Sequence, residues 1–323
     1  MVSLGLGHSL VSGSLLSSSG PYAMASAFDF DGTNDGFLTN TVNAQNPADG
    51  TAKSLTKSLS IAVWVRLDDV GGSFYDQSGD QKFVSCAGNG GWSIGFANRR
   101  FNCSFALSDA ASSIGSAQTT FRSAFNDNNA ARFLFKADNW HFVVATSDLE
   151  NPATSTVTKI YVDGSHDQAG NSSGGGSGPN GENFGAMPNN SDSNKTINAA
   201  SGQTITRRYS ATVGDVDLVF GGNPSYNTGS SVTTVHNTLM SGLVGDVAIW
   251  EDHVLTGAEV ETLYNLHRPM DMSTVQNSKL VGYWRPTNGL KDSVSGATGT
   301  LVDNGAVVTA SPSTDVSGYF GYS

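Results

Sequence analysis

The sequence predicts an all-β chain folded as two stacked antiparallel sheets with one short helix and extended terminal arms. Three observations carry that expectation. Short runs of apolar residues alternate with polar ones at period 2 along most of the chain. Glycine is abundant, 38 residues, while only 14% of residues are charged, against usual shares of roughly 7% and 25%; both deviations suit short strands joined by many turns. A single stretch near the C-terminus carries helix signals.

The elements follow in order. The first residues, MVSLGLGHSLVSGSLL, lack a basic start and an uninterrupted apolar core, so they read as an arm over 1–23 and not as a secretion signal. A sandwich is then expected over 24–284. In Ser60 to Leu67, residues Ile61, Val63, Val65 and Leu67 share one face and Ala62, Trp64 and Arg66 the other. Further predicted strands cover Phe83 to Cys86, Trp92 to Phe96, Phe101 to Leu107, Trp140 to Thr146 and Thr158 to Asp163. Asp163-Gly164 is a tight-turn signal, since such turns need the positive φ that glycine tolerates. No return strand is expected directly after it, because a Gly/Ser/Asn-rich insertion over 165–215 intervenes before a strand at Asp217 to Phe220. Such a segment has few apolar groups to offset its ordering entropy, so neighbouring chains of an assembly are expected to hold it; packing on its own domain is the alternative.

A strand at Leu243 to Trp250 leads into a helix over 256–267. Thr256 and Glu259 form a capping box, Val260, Leu263, Tyr264 and His267 make one face, and Arg268-Pro269 ends the helix. Leu280 to Trp284 is expected to close the sandwich, and 285–323 to form a C-terminal arm.

Charge and chemistry exclude several function classes. A net charge of −11 with 17 Lys plus Arg lacks the electrostatic footprint that nucleic acid requires. No run of 18 apolar residues predicts a membrane span. Cys86 and Cys103 fall two strands apart in the predicted meander, about 9.6 Å at 4.8 Å per strand, beyond disulfide reach; free thiols are expected. Retaining glycosidases need two carboxylates about 5–5.5 Å apart. Of Glu150, Glu182, Glu251, Glu259 and Glu261, only the last two are close in sequence, and on a helix they diverge. No nucleophile elbow or metal-binding histidine pair is present. His141 reads as a packed strand residue. No enzyme is expected.

The phrases GLVGDVAIWEDHVLTGAEVETLYN (Gly242 to Asn265) and LVGYWRPTNGLKDSVSGATGTLVDNGA (Leu280 to Ala306), with FDFDGTND (Phe28 to Asp35) and SLSIAVWVRLDD (Ser58 to Asp69) upstream, resemble the laminin-G-like, concanavalin A-like jelly-roll family. The likeness is greatest to the version carried by virion proteins of tailed bacteriophages. Two departures stand out. The YW-type phrase at Tyr283, Trp284, Gly289, Asp292, Ser293, Gly296, Gly299 and Leu301 follows the helix, where many relatives have it before the first strand. Gly245 stands where many have Asp. The resemblance implies a non-enzymatic structural protein displayed on a capsid (decoration or head fibre) or tail surface. It implies homo-oligomers, other virion proteins as partners, host-glycan adhesion, and residence in virions assembled in the host cytoplasm. A free calcium-assisted carbohydrate-binding module or adhesin is the alternative, and a glycoside-cleaving enzyme comes after it.

Two sets of site residues are expected on the binding readings. Tyr75, Trp92 and Tyr226 are the aromatic candidates for a glycan platform, although aromatics in sandwiches also serve as core. Calcium is the one cofactor weighed, since hard cations want clustered carboxylate and carbonyl oxygens. Asp29, Asp31, Asn34, Asp35 and Asp246 are its candidate ligands, with turn formation as the competing role for the first four.

Overall fold

A computed structural model describes residues 26–33, 35–39, 55, 57–68, 81–86, 91–97, 100–109, 117–122, 140–149, 155–166, 194–198, 205–207, 218–225, 234–235, 238–265, 269–303 and 306–307. The arm at 1–23 lies outside them. In chain order the strands are β1 (Phe28–Asp31), β2 (Asp35–Thr39), β3 (Leu59–Leu67), β4 (Gln81–Cys86), β5 (Trp92–Ala97), β6 (Arg100–Asp109), β7 (Ala117–Arg122), β8 (Trp140–Leu149), β9 (Ser155–Val162) and β10 (Ser165–His166). They continue as β11 (Asn194–Asn198), β12 (Ile205–Arg207), β13 (Leu218–Phe220), β14 (Pro224–Ser225), β15 (Thr234–Val235), β16 (Ser241–Glu251), β17 (Leu280–Trp284), β18 (Thr300–Asp303) and β19 (Ala306–Val307). The helix α1 spans Gly257–Tyr264.

Two antiparallel sheets form the sandwich. The first runs β1-β16-β3-β8-β9-β10. There β1 pairs with Ser241–Val244 of β16, and β17 pairs further along the same strand, from Val247 to Trp250. The second runs β12-β6-β5-β4-β13-β2-β18-β19, with β7 also on β6.

The alternation in β3 has a consequence on both faces. Ile61, Val63, Val65 and Leu67 enter the core between the sheets with Phe28, Phe30, Phe83, Trp92, Ile94, Phe96, Cys103 and Trp284. Ala62 and Trp64, on the opposite face, join a second apolar layer with Phe142, Trp250, Leu255, Val260, Leu263 and Tyr264. All nine residues of β3 are therefore buried. The outer layer exists because α1 and the segment after it cover that face: Tyr264 stacks on Trp64, ring centroids 6.2 Å apart at 19°. At about 25 cal/mol per Å² of apolar surface removed from water, each large side chain there contributes roughly 1.5–3 kcal/mol.

The helix is shorter than the sequence suggested. Its capping box is present, with Thr256 Oγ1 accepting from the Glu259 amide and Glu259 accepting from the Thr256 amide. Asn265 ends it in the left-handed conformation at φ +43°, a usual way to stop a helix. His267 lies outside the described residues.

Three segments differ from expectation. Asp163-Gly164 does return the chain at once: Ser165 and His166 pair with Val162 and Tyr161. Two residues are too few to show a periodicity. Two stretches of the insertion pair within the chain, β11 along β9 and β12 on β6. Finally, part of the segment after Trp284 re-enters the sandwich, where Thr300 to Asp303 pair with Leu38 to Asp35. Cys86 and Cys103 are free thiols buried in the inter-sheet core on strands separated by β5. Burial pushes the Cys103 thiol pKa far up, with the Lys82 charge opposing the shift.

A polar sheet face as the candidate binding site

The second sheet buries one face in the core and carries polar residues on the other. In β5 and β6, Trp92, Ile94, Phe96, Phe101, Cys103 and Phe105 point inward, so Ser93, Gly95, Asn102 and Ser104 take the opposite face, as the period of a strand requires. Register aligns them into two rows. Ser85 opposes Ser93, Ser93 opposes Ser104 and Ser104 opposes Thr120; Lys82 opposes Gly95, Gly95 opposes Asn102 and Asn102 opposes Arg122.

Gly95 makes the second row work. A β-carbon there would lie 2.1 Å from the Gln81 carbonyl oxygen and 2.8 Å from Lys82 Cδ. With no side chain in the way, Lys82 passes over Gly95 and its Nζ donates to Asn102 Oδ1 at 3.2 Å. That contact fixes the amide, because an ammonium can only donate and the carbonyl oxygen must face it. Asn102 Nδ2 is then turned away from Lys82. Asn102 and Ser104 are 1% and 5% exposed, and Asn102 Nδ2 and Ser104 Oγ have no hydrogen-bond partner among the described residues. Ser85 is occupied, donating to the Gly222 carbonyl at 2.7 Å. An unpaired buried polar group costs about 1–3 kcal/mol, and these two atoms sit where solvent does not reach them.

Elsewhere the ionisable groups hold the scaffold together. His141 Nδ1 lies 2.8 Å from Asp163 Oδ2, while Asp163 Oδ1 accepts from the Phe142 amide at 2.9 Å. The pair ties β8 to the β9–β10 turn, and the imidazole packs on Phe101 across the core. Asp246, 1% exposed, accepts from Tyr283 Oη at 2.8 Å and lies 3.8 Å from Arg285 Nε. Arg285 also reaches Asp271 at 3.3 Å. Burial pushes the Asp246 carboxyl up to about 7, against the opposing pull of the Tyr283 hydrogen bond and the Arg285 charge. Asp292, fully buried, accepts from the amides of Tyr283, Val294 and Ser295 and from the Ser295 hydroxyl.

The residues expected to form sites fall apart in space. Trp92 is a core residue, 1% exposed, and cannot offer a ring to a sugar: it alternates onto the inner face opposite Cys86 and Phe105. Tyr75 and Tyr226 lie outside the described residues. Asp29 and Asp31 are the solvent-side positions of β1, and Asp31 Oδ1 accepts from the Thr33 amide at 2.7 Å, which is the turn-forming role. Asn34 lies outside the described residues, and Asp35 opens β2. Asp246 is not beside them. Asp31 opposes Ser241, and five residues at about 3.3 Å each put Asp246 roughly 17 Å further along β16. No group of three or more metal-ligating side chains occurs among the described residues.

The polar face was not anticipated from the sequence. The available signal was the pairing of K-x-x-S, S-x-G and N-x-S with apolar residues (Phe83 and Val84, Ile94, Cys103) at the intervening positions of three successive strands.

No protein-family model and no curated protein matches the chain. Similar solved structures include the botulinum neurotoxin type G receptor-binding domain, at TM-score 0.37 and 14% identity over 74% of this chain and 46% of that one. A mosaic serotype C/D receptor-binding domain gives 0.37 and 12% over 74% and 42%, and a serotype D/C binding domain 0.34 and 15% over 65% and 36%. The chain spans less than half of the length of each of these structures.

Proposed function

We propose that this chain is a non-enzymatic structural protein of a tailed-phage virion, displaying its sandwich on a capsid or tail surface and adhering to host glycans. The observation that carries the non-enzymatic part is the use made of the buried and half-buried carboxylates. Asp163, Asp246 and Asp292 each accept bonds that fasten one segment to another, so their oxygens are committed to the scaffold. The virion part rests on the resemblance of the sequence phrases to those of phage-type members and on the acidic, lysine-poor composition. A free carbohydrate-binding module is the second reading.

Sedimentation of native material from its source tests the choice. Mass spectrometry of virus-sized particles is expected to find the chain at tens to hundreds of copies per particle. Its presence only in the soluble fraction would remove the virion reading and leave the free module.

A further inference from the structure

We propose that Lys82 and Asn102 join covalently: the Lys82 amine displaces ammonia from the Asn102 side chain, leaving an isopeptide bond that ties β4 to β6 across β5. Such a bond would serve a virion protein and a free module alike. Strands β4 and β6 are next-but-one neighbours, about 9.6 Å apart, so side chains on them seldom meet. Here Lys82, Gly95 and Asn102 stand in one row. Gly95 leaves that row open, since a β-carbon there would lie 2.8 Å from Lys82 Cδ. The lysine arm therefore crosses β5 and sets Nζ 3.2 Å from Asn102 Oδ1.

That placement brings a nucleophile to an electrophile. With a C=O bond of about 1.23 Å and an angle of roughly 90° or more at the oxygen, Asn102 Cγ lies about 3.4–4.4 Å from Nζ, against roughly 3–3.5 Å for a near-attack pair. An amide is a poor electrophile, so the reaction depends on holding the partners together, which is worth effective molarities of about 10⁵–10⁸ M. Burial does the holding and keeps away water, the competing nucleophile: Lys82 is 7% and Asn102 1% exposed. Asn102 Nδ2, the departing nitrogen, has no hydrogen-bond partner among the described residues. Lys82 makes a further interaction besides; the step requires only that Nζ stay beside the amide.

The hydrogen bond shows where the first proton goes. Nζ attacks Cγ as its bonded proton passes to Oδ1. The Nζ–Cγ bond forms, the Cγ–Nδ2 bond breaks, and the departing nitrogen takes the proton on Oδ1 and a second one from Nζ. The Lys82 ammonium and the Asn102 amide thus become a neutral secondary amide and an ammonium ion, with no oxidant or reductant required. The small ion diffuses away, which makes the step one-way.

Intact-mass spectrometry of the full, natively folded chain tests this. The expected mass is that of the sequence less one ammonia. A tryptic digest should contain peptide 67–99, uncut after Lys82, joined to peptide 101–122. Lys82→Arg keeps a charged donor for Asn102 but is no nucleophile, and its chain should have the full sequence mass.

A native chain at the full sequence mass would overturn the proposal. So would loss of ammonia with peptides 67–82 and 101–122 released separately, which would place the loss at an asparagine cyclising on its own backbone. Loss of ammonia that persists in Lys82→Arg would overturn it equally. The first two results need no substitution, so they stand whether or not Lys82→Arg folds.

Discussion

Single residues of the C-terminal phrase show how a sequence pattern becomes scaffold. Trp284 fills the inter-sheet core, fully buried. Gly289 and Gly296 sit at φ +64° and +79°, where a side chain would be strained. Asp292 gathers two backbone amides of its own loop and the Tyr283 amide of β17, and Tyr283 Oη donates to Asp246 on the neighbouring strand. The phrase is thus a recipe for one loop and its attachment, which is why it could be recognised without revealing a ligand.

Asp246 gives the residue-scale prediction. Its folded-state carboxyl titrates near 7 against an ordinary 3.8, because burial disfavours the charge. A raised value means that the folded state favours the protonated form, so the associated stability is full below about pH 4. It is lost as pH rises through 7. At roughly 1.4 kcal/mol per unit the loss amounts to a few kcal/mol. Urea unfolding across pH 4 to 8 should show this decline, and Asp246→Asn, neutral throughout, should flatten it and be the more stable protein at pH 8.

At the scale of elements, legibility followed the number of residues available to show a pattern. The helix start was readable because a capping box needs only Thr256 and Glu259 in place, and β3 because nine residues alternate. The return strand β10, two residues long, and β12, three residues long, carry no period. The sequences AQTTFR of β7 and NKTIN of β11 are mostly polar, and their pairing comes from the neighbouring strand. The candidate binding face was hidden for a related reason. Polar residues at alternate positions read as solvent-facing, and only the register of three strands brings Lys82, Asn102 and Ser104 together. Trp92 went the other way, since a tryptophan beside glycines fits a rim as well as a core.

The helix offers a contrast of magnitudes. Leu263→Ala, which empties a site beneath the helix that is 1% exposed, should destabilise the protein by about 2–4 kcal/mol. Thr256→Ala removes a cap at the surface and should cost about 1 kcal/mol. Denaturant midpoints measured at constant slope would separate the two, and equal effects would contradict the buried apolar layer over Trp64.

For the molecule as a whole, the acidic surface and committed buried carboxylates suit a protein whose work is to hold a position and present a face. On the virion reading, residues 1–23 are an assembly device. Their removal should abolish oligomers, as read by sedimentation velocity, while circular dichroism of the sandwich stays unchanged. A free binding module would remain monomeric with or without them.

The pairing of β1 with β16 and of β2 with β18 has a further consequence. The first described strand, β1, finds its partner only at Ser241–Val244, and β2 is flanked by β13 and β18. At about 5–20 residues per second on the ribosome, Phe28 and Phe30 must wait for more than two hundred residues to be made before β16 can cover them. During that interval they are open to chaperones and to other nascent chains. Contacts this distant in sequence also make folding slow. A messenger truncated before residue 300 would yield a chain with an exposed β2 edge and an aggregation-prone sheet, so this sheet is complete only once residues 300–303 have been made.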